Sequence, residues 1–120
     1  MLLDFYTLTS QSVTEETVHF EILINGTHFI YRAHFPGNPV TPGVCLIQIC
    51  RELAEHYIGK KLFICNIESI KFLATINPLD NPSVSIIFSK ILYEGDSYKV
   101  SAKITGNGIL FAKLSMRLKN

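Results

Sequence analysis

The chain has 120 residues, 48% of them apolar, and its 11 lysines and arginines against 10 acidic residues leave a net charge of +1. This length predicts a single domain over residues 1–120, with room for a core but too little to enclose an active site alone, so we expect an oligomer. The balanced charge argues against nucleic-acid binding, and no apolar run reaches the roughly 20 residues of a membrane span. Because the N-terminus also lacks the basic start of a secretory signal, we expect a cytoplasmic protein.

The first predicted element is a strand at residues 17–25, TVHFEILIN, in which apolar and polar residues alternate. Asn25 and Gly26 predict a tight turn, and we expect residues 28–34, HFIYRAH, to form the partner strand of a β-hairpin. The prolines and glycines between residues 36 and 42 then forbid regular structure until a helix begins.

One helix of about 17 residues is predicted next, with Thr41 as its capping residue, Pro42 at its first position and Gly59 at its end. Its first half is apolar on all sides and should be buried, with the residues Val44, Cys45, Leu46, Ile47, Ile49 and Cys50. Its second half, residues 51–61, is amphipathic and should emerge into water.

After the helix the apolar period returns to two, which predicts strands at residues 64–76, 82–93, 97–104 and 109–118. In the last strand, polar side chains share the face opposite the leucines, as in an antiparallel sheet with one face in water. One long buried helix among antiparallel strands predicts an α+β architecture, with the sheet wrapped around the helix.

Three cysteines, Cys45, Cys50 and Cys65, form no C-x-x-C pair, which favours reduced, buried thiols over disulfides or zinc ligands. Cys45 lies near the predicted helix start, where its pKa could be lowered. Three histidines lack zinc-site spacing and are expected on the surface or in hydrogen bonds. These are His19, His28 and His56.

The stretch HFPGNPVTPGV, residues 34–44, resembles the signature of the β-hydroxyacyl-acyl carrier protein dehydratases of fatty-acid synthesis. The histidine, the Phe-Pro-Gly turn and the Pro-Gly before the helix all have the family spacing. A weaker resemblance covers most of the chain, including IESIKFLATINPLD at residues 67–80. The resemblance implies the hot-dog fold, a curved antiparallel sheet wrapped around one long central helix.

The resemblance also implies a homodimer with active sites at the subunit interface. Each site would take a histidine base, His34, from one protomer and an acid from the central helix of the other. At the position of that acid this chain has Gln48. The Gly43 amide would face the thioester oxygen, because a helix N-terminus stabilises developing negative charge. The remaining substrate-binding positions implied are Val44, Phe35 and Pro42, with Phe35 either a lid over the acyl chain or an anchor for its loop.

Gln48 leaves three functions open, because a carboxamide supplies no titratable proton but still donates and accepts hydrogen bonds. The first is a 3-hydroxyacyl-[acyl carrier protein] dehydratase in fatty-acid or polyene-type biosynthesis. The second is a catalytically impaired subunit that binds acyl carrier protein or pairs with an active dehydratase. The third is an acyl thioesterase. Two further departures are Ala33, where the family has glycine, and the charged pair Arg51 and Glu52, which we expect at the solvent surface rather than in the substrate tunnel.

The partner that the resemblance implies is an acyl carrier protein with a phosphopantetheine-linked acyl chain. The carrier is acidic, so we expect a basic patch at the tunnel mouth, with Lys60, Lys61 and Lys71 as candidates. Dimers could assemble further, or pair with a related subunit. No organic cofactor or metal is expected, because eliminating water needs only proton transfer and carbonyl polarisation.

Overall fold

A computed structural model describes residues 4–33 and 35–120 of the chain. His34, the predicted base, lies outside the described residues. The elements in chain order are strand β1 (Tyr6–Val13), strand β2 (Val18–Ile24), helix α1 (Ile30–Ala33), helix α2 (Gly43–Ile58), strand β3 (Phe63–Phe72), strand β4 (Ser83–Glu94), strand β5 (Ser97–Gly106) and strand β6 (Ile109–Lys119).

The six strands form one antiparallel sheet in the order β1-β2-β4-β5-β6-β3. Alternate strand residues such as Phe20 and Ile86 are fully buried and share one core with Ile49 and Cys50 of α2. Register shifts place an extra residue in β1, β3, β4 and β6, and such bulges bend a strand and increase its twist. The predicted α+β architecture, a sheet around one long helix, is confirmed.

Helix α2 follows the prediction at its end but not at its start. Gly59 adopts a left-handed φ of 81°, and its amide donates to the Glu55 carbonyl at 2.8 Å, which terminates the helix. Thr41 does not cap the helix. Pro42 occupies the capping position, and the Thr41 hydroxyl instead shares a hydrogen bond of 2.7 Å with the Tyr31 hydroxyl. Within the described part of the chain, no helix is long and apolar enough to cross a membrane.

The predicted hairpin between residues 17–25 and 28–34 is wrong. One neighbour of β2 is β4, and the other is β1, a polar edge strand that the apolar pattern did not indicate. With both edges of β2 occupied, no position is left for a partner strand, and the chain instead forms the short helix α1. Tyr31 of α1 is buried, with its ring stacked on Phe5 at 5.5 Å.

Two other elements differ from their predictions. Strand β3 ends at Phe72, earlier than predicted, because the amides of Leu73 and Ala74 both donate to the Phe111 carbonyl at 2.8 and 3.2 Å. Four residues in the first half of α2 are buried, namely Cys45, Leu46, Ile49 and Cys50, whereas Ile47 and Gln48 are half-buried. Val44 is 71% exposed, which leaves an apolar side chain uncovered beside the helix start.

Candidate functional site

A cleft of about 310 Å³ opens at the N-terminus of α2 and contains three of the predicted site residues. It is lined by Phe35, Val40, Thr41, Pro42, Gly43, Leu46, Phe72, Ala74, Thr75 and Ile76. Two chain segments therefore meet there: the loop after α1, with the helix start that follows it, and the segment from the end of β3. Val44, also predicted to bind substrate, points out to solvent and does not line the cleft.

Gly43 is the residue around which the cleft is built. A Cβ atom at this position would lie 2.6 Å from the tip of the Phe72 ring, so a larger residue would force this half-exposed ring away from the helix start. Gly43 and Val44 are the first residues of α2, where no preceding turn of helix supplies an acceptor for their amides. The amides of Cys45 and Leu46 donate to the Pro42 carbonyl at 3.0 and 3.4 Å. The cleft thus combines the positive end of a helix with an apolar wall. The helix end suits an oxygen that gains negative charge, and the wall suits an apolar chain attached to it.

The loop between α1 and α2 is fixed at both ends by the pair Tyr31 and Thr41. Both residues are buried, and burial raises the pKa of Tyr31 to about 12, so its hydroxyl keeps its proton at neutral pH. The Thr41 amide also donates to the Ile76 carbonyl at 2.8 Å. Phe35 within the loop is 58% exposed, and its carbonyl accepts from the Asn38 amide at 2.9 Å. A buried hydrogen bond therefore joins Tyr31 and Thr41, the two residues that flank the loop.

Gln48 lies in a half-buried polar network away from this cleft. Its Nε2 donates to Glu52 Oε2 at 2.9 Å, and its Oε1 accepts from Arg51 Nε at 3.2 Å. Arg51 is fixed in turn by Glu55, at 2.9 Å, and by the Leu62 carbonyl, at 2.9 Å. The amide is thereby held in one orientation, with one N–H and one oxygen lone pair engaged within the network.

The expectation that Arg51 and Glu52 reach solvent is wrong. Their side chains are only 16% and 12% exposed, because both fold back along α2 into the network around Gln48. Glu52 also accepts a hydrogen bond of 2.9 Å from the hydroxyl of Tyr6 on β1. Burial, and then the neighbouring Glu52, raise the pKa of Tyr6 well above its usual range, so the phenol remains a donor. Tyr6 carried no signal in the sequence, since it belongs to the edge strand that the apolar pattern missed.

The three lysines proposed as a basic patch do not lie together. Lys60 and Lys61 line a pocket of about 650 Å³ at the far end of α2, together with Tyr6 and Glu52. Lys71 lies on β3 and lines a separate hollow of about 470 Å³ on the sheet. These three lysines therefore lie on two separate surfaces.

The other histidines occupy the expected hydrogen-bonded and surface positions. His19 contacts Glu21 at 2.7 Å, and His28 Nδ1 accepts from the Ile30 amide at 3.2 Å. His56 is exposed and meets the Phe20 ring edge-on at 6.4 Å.

The cysteines only partly match the prediction. Cys45 and Cys50 are buried, as expected for core thiols. Burial raises the pKa of Cys45, so the idea that the helix start lowers that pKa is wrong, and burial raises the pKa of Cys50 to about 12. Cys65 is exposed and not buried, because it lies on the edge strand β3.

Comparisons with known proteins agree with this fold. Residues 10–107 match the family model described as ApeI-like, ApeI dehydratase. The 3-hydroxyacyl-[acyl-carrier-protein] dehydratase FabZ of Lactobacillus helveticus is 30% identical over 92 residues, 71% of this chain and 62% of that protein. FabZ of Enterococcus faecalis is 25% identical over 96 residues, 74% of this chain and 68% of that protein. The chain thus spans less than two thirds of the length of the first of these relatives.

Solved structures show the same hot-dog fold. The dehydratase heterocomplex ApeI:P from Xenorhabdus doucetiae matches with a TM-score of 0.77 at 14% identity, covering 95% of this chain and 97% of that one. A hypothetical thioesterase from Streptococcus pneumoniae matches with a TM-score of 0.66 at 13% identity, covering 98% and 91%. At these identities the likeness shows the fold, and the chemistry has to be argued from the residues.

Proposed function

Because the chain belongs to the ApeI-like dehydratase family of hydroxyacyl-acyl carrier protein dehydratases, we propose that it eliminates water from a 3-hydroxyacyl thioester to give the trans-2-enoyl thioester. The acyl chain is carried on the phosphopantetheine of an acyl carrier protein, in cytoplasmic fatty-acid or polyene-type biosynthesis. The observation that carries this proposal is the family match over residues 10–107, which includes the 34–44 signature and all of α2.

The proposed reaction needs one base, one site for the thioester oxygen and one group at the leaving hydroxyl. His34 takes the proton from C2, since an imidazole with a pKa near neutrality suits that task. The electron pair of the C2–H bond forms the C2=C3 double bond, and the C3–O bond breaks. The Gly43 amide stabilises the charge that develops on the thioester oxygen. His34 then returns the same proton to the departing hydroxide, which leaves as water.

Gln48 orients the leaving hydroxyl in this proposal. Its amide is held by Glu52 at 2.9 Å and by Arg51 at 3.2 Å, so it can present a fixed donor without rotating. A fixed amide cannot donate a proton as an acid does, and general acid assistance is typically worth about 10²–10⁴-fold in rate. We therefore expect a slower dehydratase than one with a carboxyl group at this position.

The site is completed across a dimer in our proposal. Gln48 follows Gly43 by five residues, which rotates it by roughly 140° around the helix axis. The cleft at Gly43 and the amide of Gln48 consequently face different sides of α2, and one chain does not bring both to one substrate. We assign His34 of one protomer and Gln48 of the partner subunit to each site. The exposed apolar side chains of Val44 and Phe72, 71% and 53% exposed, are then covered by the partner.

The direct test is hydration of a trans-2-enoyl thioester by the purified protein and two matched variants. His34→Ala should abolish turnover, whereas His19→Ala, on strand β2 and bonded to Glu21, should retain it. Mixed dimers of His34→Ala with Gln48→Ala should recover part of the activity, since one of their two sites is intact. Equal losses in both histidine variants would contradict the assignment of His34.

A second candidate is a subunit that needs an active dehydratase partner. Two observations favour it: the amide at position 48 and the similarity to a dehydratase heterocomplex. In that case the protein alone shows no turnover, and activity appears when a related subunit supplies a carboxyl group. Hydrolysis of a saturated acyl thioester in place of enoyl hydration would instead indicate a thioesterase, the activity named for several proteins of the same fold.

A further inference from the structure

A carboxyl group of α2 lies beside Gln48, although the position of the family acid itself is an amide. Glu52 follows Gln48 by four residues, so the two side chains share one face of the helix, one turn apart. Glu52 Oε2 accepts a hydrogen bond of 2.9 Å from Gln48 Nε2, and Glu52 Oε1 accepts one of 2.9 Å from the Tyr6 hydroxyl. The chain therefore has a carboxyl group within one hydrogen bond of position 48.

The two neighbours of Gln48 determine which end of its amide faces which way. A carboxylate only accepts hydrogen bonds, and a guanidinium only donates them. The amide nitrogen therefore faces Glu52, and the amide oxygen faces Arg51, whose Nε donates to it at 3.2 Å. Turning the amide by 180° would place its oxygen against the carboxylate and its N–H groups against the guanidinium. Glu52 and Arg51 thus select one of two orientations that have almost the same shape.

Glu52 is held in turn by a group from outside α2. Its side chain is 12% exposed, and Arg51 Nη2 lies 4.0 Å from its Oε2. The Tyr6 hydroxyl reaches the other carboxylate oxygen from the edge strand β1. Burial, and then Glu52 itself, raise the pKa of Tyr6 well above its usual range, so the phenol still donates to the carboxylate in mildly alkaline solution. The contacts therefore run in the order Tyr6, Glu52, Gln48.

The attachment of the sheet to α2 does not require this pair. Arg51 and Glu55 already tie the helix to the residue before β3, because Arg51 donates to the Leu62 carbonyl at 2.9 Å and Glu55 accepts from the Leu62 amide at 2.7 Å. Burying a carboxylate costs free energy, and apolar side chains in place of buried ions are often equally or more stabilising. The carboxylate beside Gln48 is therefore better explained by its effect on the amide than by stability.

We propose that Glu52 is a positioning residue of the dehydratase site, which holds the Gln48 amide in the orientation that the leaving hydroxyl needs, and that Tyr6 holds Glu52. This inference rests on the proposed function. The carboxyl group is displaced by one helical turn from the position of the family acid and acts on the substrate through Gln48. A hydrogen bond to a charged acceptor is about twice as strong as one to a neutral acceptor. Glutamine at position 52 would weaken the contact and, because it also donates, permit both orientations of the Gln48 amide.

The first test is the hydration kinetics of a trans-2-enoyl thioester with Glu52→Gln and with Glu21→Gln. Glu21 is the matched control, a half-buried glutamate on β2 that contacts His19 at 2.7 Å. We expect Glu52→Gln to lower kcat by about 10-fold and to change KM by less than about twofold, because the amide is needed in the transition state. Tyr6→Phe should lower kcat by a smaller factor, and Glu21→Gln should change neither constant. Native kcat in Glu52→Gln would overturn the inference.

An exchange of the two side chains separates a positioning role from a structural one. Gln48→Glu alone places two carboxyl groups within hydrogen-bond distance, where both cannot be ionised without repulsion. Gln48→Glu with Glu52→Gln again places one amide beside one carboxyl group. This double variant should recover at least the native kcat, since the pair is restored and the carboxyl group lies at the family position. A loss in Glu52→Gln that the exchange does not recover would mean that Glu52 acts only on the fold, and would overturn the inference.

Nuclear magnetic resonance of ¹⁵N-labelled glutamine side chains separates this inference from the proposed function. The chain has two glutamines, and Gln11, exposed on β1, is the internal reference for Gln48. The hydrogen-bonded amide proton of Gln48 should exchange with water at least about 10-fold more slowly than those of Gln11, and Glu52→Gln should remove this protection. If the native protein shows no turnover, the proposed function fails, and proton exchange alone decides whether Glu52 fixes the amide. Equal exchange at both glutamines, or unchanged protection in Glu52→Gln, would overturn the inference.

Discussion

The side chains of Tyr31 and Thr41 should be energetically coupled, because their hydroxyl groups are buried and form a hydrogen bond with each other. The oxygens are 2.7 Å apart, and the residues are only 4% and 5% exposed. Tyr31→Phe leaves the Thr41 hydroxyl without this partner in the core, and Thr41→Val does the reverse. A buried polar group that loses its partner costs about 1–3 kcal/mol, whereas replacing both by apolar groups is nearly neutral. We expect each single variant to lose about 1–3 kcal/mol and the double variant to lose less than the sum.

Urea unfolding of the native chain and the three variants measures this coupling as a double-mutant cycle. The stability of Tyr31→Phe should also decline less at alkaline pH than that of the native chain. Since burial raises the pKa of Tyr31 from 10.0 to about 12, its contribution is present below pH 10 and is lost as the pH rises towards 12. Additive losses of the two single variants would refute the reasoning, because they would mean that the two hydroxyl groups act independently.

Three predictions concern the thiols and the cleft. Of the three cysteines, the exposed Cys65 should react with a thiol reagent before unfolding, whereas Cys45 and Cys50 should react only after denaturant is added; three equally fast thiols would contradict their burial. Because burial raises the pKa of Cys50 from 9.0 to about 12, stability should decline as the pH rises above 9, as titration of unfolding would show. Gly43→Ala brings a Cβ atom to 2.6 Å from the tip of the half-exposed Phe72 ring, which has to shift, and should destabilise the fold by about 1 kcal/mol. Adding Phe72→Ala should relieve this effect, and an equal loss in both backgrounds would argue against the contact.

The core of the fold could be predicted from the sequence because its signals are local and strong. The period-two pattern of residues 109–118 and the glycine at position 59 each determine one element, and both predictions hold in the structure. The polar strand β1 could not be found in this way, because an edge strand buries little and its side chains need not alternate. The predicted strand at residues 28–34 fails for a related reason: β1 and β4 occupy both edges of β2, and the chain forms the helix α1 instead.

The candidate site was predicted only where a motif carried it. Phe35, Pro42 and Gly43 do come together in the cleft, as the spacing of the signature implies. The environment of Gln48 was not predictable, because Glu52 and Tyr6 meet it through side-chain geometry across elements distant in sequence. Charged residues such as Glu52 are usually exposed to solvent. Here burial is tolerated because hydrogen bonds within the network offset the cost of removing the charge from water.

We propose that this chain is a dehydratase that works with an amide at the position of the family acid. The most direct measurement is the hydration rate of one trans-2-enoyl thioester by the native protein and by Gln48→Glu. We expect measurable turnover in the native protein, since Glu52 and Arg51 hold the Gln48 amide in place. No turnover in the native protein, together with activity in Gln48→Glu, would contradict this proposal and indicate that the acid has to come from a related subunit.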